Sequence, residues 1–475
     1  MSAATIVWSK ALATPGIEFP LTPLPIVSGA IPDGLRGSLY RNGPARLERA
    51  GKRVGHWFDG DGAILGVHFA DGAARGVYRY VQTWGSKNES QAERWLYGGY
   101  GTLAPGRIWE RWRKPLKNAA NTSVLALPDK LLALWEGGSP HALDLENLET
   151  IEVETLGSQS ERFVYSAHPK VDPKNGDIYN FGISVGAETK LNLYRSDRTG
   201  KIVCHTQTKL EGISNIHDFV LAGQYLVFLI PPVIVKVLPV LLRVKSYSDS
   251  MQWQPYLGTQ ILVFDREHLA LVSSSTVEPW FQWHIGNGYV DKDGNIVCSI
   301  AQYKDFATNQ FLKEVASGTT QTLAISHLWE LTIDPSSARL IKTEKLSDRG
   351  CEFPTVKQSE VGENWRYTYL SVHKMPTVNP QELLGTIGRY DRENHTLAIA
   401  PLDSHLYASE PIYAQDKYHP DRGWLLTVVY DGKKHHSEVW IYDSDRLDDE
   451  PICQLGLPSV IPMSFHGTWL SPRQN

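Results

Sequence analysis

Four histidines of this chain sit in apolar or aromatic settings: Ser166-Ala167-His168-Pro169-Lys170, Ile216-His217-Asp218-Phe219, Trp283-His284-Ile285-Gly286 and Phe465-His466-Gly467-Thr468-Trp469. Neutral imidazole serves iron, zinc and copper, so these residues point to a metal centre without naming the metal. They lie 49, 67 and 182 residues apart, too far for a zinc finger or for two ligands on one helix. Three glutamates occupy matching settings: Leu134-Trp135-Glu136-Gly137, Cys351-Glu352-Phe353-Pro354 and Ser409-Glu410-Pro411-Ile412. An unpaired carboxylate among such neighbours is costly. A carboxylate that accepts the second ring N–H of a ligating histidine orients it and offsets the metal's charge. A structural zinc site with four protein ligands would be closed to chemistry. Four histidines around an octahedral iron(II) leave two positions open, enough for dioxygen and a water or substrate. Spacing alone permits other groupings of the 16 histidines. His56, His205, His268, His395, His435 and His436 read as surface or hydrogen-bonded residues.

Residues this remote reach one point only on a closed scaffold that brings distant strands to a common axis, which points to a β-propeller. Short apolar runs alternate with Asp/Gly/Asn turn signals along the chain, as in 58–65, 67–72, 171–179, 290–297 and 429–433. Each reads as a hairpin whose turn tolerates positive φ. No WD or kelch period is visible, so the number of blades is not legible from repetition. Two stretches break the pattern. Within 84–119, the runs 93–97 and 108–114 read as short helices or long loops that cap one face of the sheets. Residues 226–243 are as apolar as a membrane span, but Pro231, Pro232, Lys236 and Pro239 interrupt them. The plain reading is a strand over 226–230 followed by a buried loop. The favoured one is an apolar surface that dips into a membrane, with Lys236, Arg243 and Lys245 at the lipid headgroups.

At 475 residues the chain has room for two or three ordinary domains or one large closed β fold. Its formal charge of −5 gives no reason to expect nucleic acid. Cys204, Cys298, Cys351 and Cys453 are scattered without a CxxC pair, and read as reduced thiols of a cytosolic protein. Residues 1–25 lack a basic stretch followed by an apolar core, so no secretory signal is expected. A cytoplasmic monomer, peripherally associated with membrane, is the expectation.

These segments resemble the carotenoid cleavage oxygenase family, which includes the stilbene-cleaving enzymes, and the likeness runs from Leu35 to Trp469. It opens with Leu39-Tyr40-Arg41-Asn42-Gly43-Pro44 and His56-Trp57-Phe58-Asp59-Gly60-Asp61-Gly62, continues through Asn121-Thr122-Ser123, and takes in every histidine and glutamate setting above. The resemblance implies one all-β domain, a seven-bladed propeller with a helical or loop cap over one face. It implies iron(II) on the axis, held by His168, His217, His284 and His466. Glu136 would support His217, Glu352 would support His284, Glu410 would support His466, and His168 would lack a carboxylate. Thr122 matches a position whose side chain crowds one open site on the iron; its plain reading is a hydrogen-bonded hydroxyl at a strand end. Trp135, Trp283 and Phe353, beside these residues, are the candidates to line a substrate tunnel, although alternation along a strand can turn a neighbour of a ligand outward.

The resemblance further implies that dioxygen and a lipophilic polyene are the co-substrates and that a C=C bond is cut into two carbonyls. Stilbene-cleaving relatives carry a lysine at the position of Trp135. An indole suits a polyene and cannot stabilise a phenolate, so a carotenoid or apocarotenoid is expected. The nearest likeness is to the cyanobacterial apocarotenoid oxygenases, which cut the central 15,15′ bond and release retinal. Stilbene cleavage, polyene isomerisation and a non-catalytic propeller are the alternatives.

Overall fold

The structure is a computed structural model that describes residues 7–160, 163–186, 188–212 and 215–472. Seven antiparallel sheets of four or more strands form the blades of a propeller. Numbered by the order in which their innermost strands follow along the chain, blades I to VII begin at Ser123–Ala126, Lys170–Val171, Val220–Ala222, Phe281–Val290, Cys351–Thr355, Ile412–Gln415 and Gly467–Leu470. Blade VI has a broken inner strand, with Leu406–Ala408 pairing the same neighbour as Ile412–Gln415.

The two chain ends close the ring twice over. Gly467–Leu470 pairs antiparallel with Gly37–Arg46, Arg41 facing Gly467, so the last strand becomes the innermost of a blade built from the first strands. Ile26–Gly29 in turn pairs with Cys453–Gly456 as the outermost strand of blade VI. The innermost strand of each blade still has one unpaired side at the axis, and radial repetition keeps these edges short and protected.

The interior is a ring of separate cores, one between each pair of neighbouring blades. The strand Tyr225–Ile230 shows why. Leu226, Phe228 and Ile230 pack toward blade II with Phe181 and Phe219, whereas Val227 and Leu229 pack toward blade IV with Ile296 and Ile300. Side chains alternate across a strand, and here both faces are covered, so the strand reads as an unbroken apolar run. This corrects the membrane-contacting reading of 226–243 for its first part. Residues 226–233 and 235 are buried, and Val233–Val235 pairs with Met251–Trp253. Only the stretch from Lys236 onward, including the short helix Val237–Leu241, reaches the surface.

The turn signals at 71–72, 172–177, 291–295 and 431–435 are hairpin connections. Asp71 and Gly72 both take positive φ between Ala70 and Ala73, the backbone that a two-residue turn between right-twisted strands requires. Longer turns use an aspartate as a local acceptor: Asp291 Oδ1 takes the N–H of Asp293 (2.9 Å) and of Asn295 (2.8 Å). The run 58–65 is different. Trp57–Asp59 is a single 3-10 turn that leads into the strand Asp61–Ala70, so Asp59-Gly60-Asp61-Gly62 is no hairpin turn.

Insertions between blade strands form the cap. In 84–119 the helices are Trp84–Gln91, whose N-cap Thr83 accepts from Ser86 N at 3.1 Å, and Ile108–Trp112; the expected element at 93–97 is irregular, with Glu93 at positive φ. A buried ion cluster ties this segment to blade VII: Lys117 Nζ lies 2.8 Å from both Asp61 and Glu89, and Arg49 lies 2.7 Å from Asp61. The helix Ala307–Ser317 and residues 245–250 complete the cover.

Phe228 tests the inter-blade core. It is fully buried, 5.3 Å from the Phe219 ring and 5.4 Å from the Phe181 ring. Phe228→Ala is expected to cost about 3–5 kcal/mol, read as a lower midpoint of chemical denaturation at unchanged slope.

Candidate metal centre

Each of the seven innermost strands delivers one residue of the expected set at or near its N-terminal end. In blade order these are Thr122, His168, His217, His284, Glu352, Glu410 and His466. Glu136 comes instead from just beyond Leu131–Leu134, the second strand of blade I, whose C-terminal end lies beside the start of Ser123–Ala126. Two ladders are irregular where this happens. The register shifts between Gln282 and Ile285 around His284, and between Glu352 and Thr355, where Phe353 takes a φ of 54°. A non-glycine residue held left-handed inside a strand is strained. The distortion brings the Phe353 ring onto the His284 ring, stacked at 4.8 Å.

The four imidazoles meet. One nitrogen from each of His168, His217, His284 and His466 lies within 4.8 Å of the others. His284 Nε2 is 3.3 Å from His217 Nε2 and 3.0 Å from His466 Nε2. His168 Nε2 is buried with no hydrogen-bond partner among the described residues, a cost that a metal bond would remove. Burial first, then the neighbouring imidazoles, holds His168, His217 and His284 well below the usual histidine range, so they are neutral. A cluster of neutral imidazoles converging on one point fits a divalent transition metal.

The carboxylates behave unequally. His284 Nδ1 donates to Glu352 Oε2 at 2.5 Å, and His466 Nδ1 donates to Glu410 Oε1 at 2.9 Å. Both glutamates also take a backbone N–H, Glu352 from Phe353 (2.7 Å) and Glu410 from Gly467 (2.8 Å). Glu136 differs from the expectation. Its Oε1 lies 3.5 Å from His217 Nδ1 and 3.6 Å from His168 Nε2, bonded to neither. It stands between two histidines, and His168 therefore has a carboxylate neighbour after all. Burial pushes Glu352 up to about 8 and Glu136 well above the carboxylate range. Glu136 keeps 32% side-chain exposure because it faces an internal cavity. A cation among the imidazoles would favour the charged form of all three.

Behind the ring lie residues that sequence reasoning missed. Asp218 follows His217, and its Oδ1 lies 2.8 Å from Lys170 Nζ, two residues after His168. Its Oδ2 accepts the N–H of Ile285, next to His284, at 2.9 Å. One buried carboxylate thus fastens three histidine-bearing strands. Arg41, fully buried, does the same for the fourth: it donates to the carbonyls of Glu410 (2.6 Å) and Phe465 (2.9 Å) and to Ser464 Oγ (3.0 Å). Asn42 donates to the carbonyls of Ala120 and Ser123, and its own N–H reaches the His466 carbonyl at 2.9 Å. The available signal was an aspartate beside a histidine in an apolar run, and an arginine inside a strand pattern.

A cavity of about 740 Å³ opens onto three of the histidines, His217, His284 and His466. Trp135, Trp283 and Phe353 all line it, together with Thr122, whose hydroxyl donates to Asn121 Oδ1 at 3.2 Å. Trp283 stands edge-on to His217, ring centres 5.0 Å apart, and its indole N–H reaches Thr308 Oγ1 at 3.0 Å. The roof is Phe58, Tyr100, Tyr247, Phe311 and Leu312 from the cap, none of them singled out by sequence as cavity residues. Among the other histidines, His56 is fully buried, its Nδ1 accepting from Phe58 N at 3.2 Å. Burial pushes it down to about 3.

Residues 12–471 match the sequence profile of the family described as retinal pigment epithelial membrane protein. The chain is 32% identical to the apocarotenoid-15,15′-oxygenase of Synechocystis sp., over 93% of this chain and 92% of that one. It is 27% identical to the carotenoid isomerooxygenase of Galleria mellonella, over 94% of this chain and 93% of that one. Among solved structures it resembles the cobalt-substituted Synechocystis apocarotenoid oxygenase, with a TM-score of 0.90, 31% identity and 98% of each chain covered.

The ring predicts its own metal dependence. His217→Ala is expected to abolish stoichiometric binding in a cobalt(II) titration followed by visible absorption, whereas His435→Ala keeps it; full binding by His217→Ala would mean another ligand set. Glu410→Gln is expected to weaken the affinity about 10- to 100-fold.

Proposed function

Because this chain belongs to the retinal pigment epithelial membrane protein family, the carotenoid cleavage oxygenases, we propose that it is a non-haem iron(II) dioxygenase. Its reaction is the cleavage of one C=C bond of an apocarotenoid or carotenoid into two carbonyl products. The observation that carries this reading is the ring of four imidazoles, three of them in the wall of a large aromatic cavity and two of them bonded to buried carboxylates. The Synechocystis relative's name supports the central 15,15′ bond as the one cut, with retinal as a product. Both atoms of dioxygen end in the two carbonyls, so no reductant is consumed.

Iron(II) held by His168, His217, His284 and His466 would supply the activation of dioxygen. The remaining work falls to the protein. Glu352 and Glu410 fix the tilt of two imidazoles, and Glu136 stands between the other two. Thr122 narrows the approach on the blade I side. Trp135, Trp283 and Phe353 hold the polyene by shape and keep water out, so the position of the chain in the cavity selects the bond. Stilbene cleavage is the competing reading. It would call for a group to meet a phenolate, and the side chain beside Glu136 is the indole of Trp135.

The substrate's route supports a membrane surface as partner. Trp112 Nε1 donates to the Leu242 carbonyl at 3.2 Å, and Arg111 donates to the Arg243 carbonyl at 3.3 Å, so the helices Ile108–Trp112 and Val237–Leu241 lie together. They present Trp109, Trp112, Leu238 and Leu241, each more than half exposed, beside Lys236 and Arg243. Leu116, exposed near this patch, also lines the cavity and marks a mouth there. Among the described residues no helix is long and apolar enough to cross a membrane, and a peripheral surface needs none.

Two experiments test these readings. Incubation of iron-loaded protein with a β-apocarotenal under ¹⁸O₂, followed by mass spectrometry, is expected to give two carbonyl fragments, each labelled. Cleavage of a hydroxystilbene alone would favour the competing reading, and rearranged polyene without label would indicate an isomerase. Leu238→Glu combined with Leu241→Glu is expected to weaken liposome binding several-fold while sparing turnover of detergent-dispersed substrate; unchanged liposome binding would remove the membrane from the account.

A further inference from the structure

The cavity wall mixes apolar and polar side chains. On the blade II side Phe181, Ile183 and Val185 line it beside Ser184 and Asn215, whose Nδ2 is buried with no hydrogen-bond partner among the described residues. Beyond the histidines, the blade V side carries Ser371, His373 and Glu382. Ser371 and His373 stand two apart at the end of the strand Tyr367–Val372, so they share a face, and Ser371 is the cross-strand neighbour of Glu352. His373 is 8% exposed, yet its ring makes no hydrogen bond among the described residues. Ser371 Oγ is buried and likewise unpartnered. Glu382 accepts from the Tyr407 hydroxyl at 2.9 Å, which fixes that side of the wall.

Buried polar groups left without partners are costly, and where they persist a ligand or a water commonly supplies the bond. Burial first, then Arg349, pushes His373 down to about 4, so its ring is neutral. A neutral imidazole offers one donor and one acceptor and can meet either a hydroxyl or a carbonyl oxygen. An apolar chain end at this position would leave the ring unpaired.

We propose that the blade V end of the cavity is a subsite for an oxygenated terminus of the polyene, a hydroxyl or a carbonyl, and that His373 is the residue that meets it. The inference rests on the polyene-cleavage reading and deepens it: by meeting the oxygenated end under blade V, His373 helps to set which polyene is held.

Binding to the metal-free protein tests this without any cleavage. Three polyenes of equal length, ending in a hydrocarbon, an alcohol and an aldehyde, are titrated in one detergent and followed by quenching of tryptophan fluorescence. The alcohol and aldehyde are expected to bind about 10-fold more tightly than the hydrocarbon. In His373→Leu that ratio is expected to fall to about 1, whereas His373→Gln, which keeps a donor and an acceptor, retains most of it. A wild-type ratio of about 1, or an unchanged ratio in His373→Leu, overturns the subsite while leaving polyene cleavage standing. Failure of the wild type to bind any of the three overturns both. If His373→Leu does not fold, as judged by its thermal midpoint, His373→Phe makes the same comparison, and the wild-type ratio alone remains decisive.

Discussion

Closure of the ring is the constraint on which the rest of this protein depends. The pairing of Gly467–Leu470 with Gly37–Arg46 does more than finish a blade. It carries His466, the residue just before that strand, to within 3.0 Å of His284, 182 positions earlier in the chain. The same contact brings Arg41 against the carbonyls of Glu410 and Phe465 and brings the N–H of Asn42 to the carbonyl of His466. A cluster whose histidines come from blades II, III, IV and VII exists only when the circle is complete, so a fault in the closing strand removes one of its histidines as well as stability.

The site is held by charges that are buried and satisfied. Arg41 lies at no accessible surface to speak of, and burial pulls it down to about 10 although Glu410 stands 3.9 Å away. Asp218 anchors Lys170 and the backbone of the next strand. Such groups cost desolvation, and their net worth to stability is small or negative unless every bond is made. Their value here is geometric, since each ties the backbone beside one histidine to the backbone beside another. The strained φ of Phe353 belongs to the same account: the bulge lets Glu352 face His284 while the next side chain stacks on that ring.

The cavity wall is mostly aromatic and aliphatic, and polar side chains such as Asn215, Ser371 and His373 interrupt it on both the blade II and the blade V side. Walls from rigid inner strands and a roof from the cap divide the labour. The strands fix where the imidazoles stand, and the inserted segments, free to vary in length without disturbing a blade, shape the space above them.

How far the sequence reached follows from what each feature depends on. The hairpins, the four histidine settings and the three glutamates were legible because they are local: an aspartate-glycine turn, or an imidazole among apolar neighbours, states its own requirement. The blade number was not legible from period, since successive innermost strands begin 47, 50, 61, 70, 61 and 55 residues apart and the insertions blur any repeat. The run 226–243 misled for a physical reason. A strand covered on both faces by neighbouring blades has the same composition as one that meets lipid, and only packing separates the buried 226–233 from the exposed helix at 237–241. Likewise the sequence by itself made a metal centre of histidines backed by carboxylates an expectation, and its family resemblance added iron as the metal. Only the tertiary structure decided that Glu136 stands between two rings, that Asp218 and Arg41 hold the strands behind them, and that His373 waits unpaired in the wall. Those outcomes are distances between segments remote in the chain, and such distances are set by the closed ring and by nothing local.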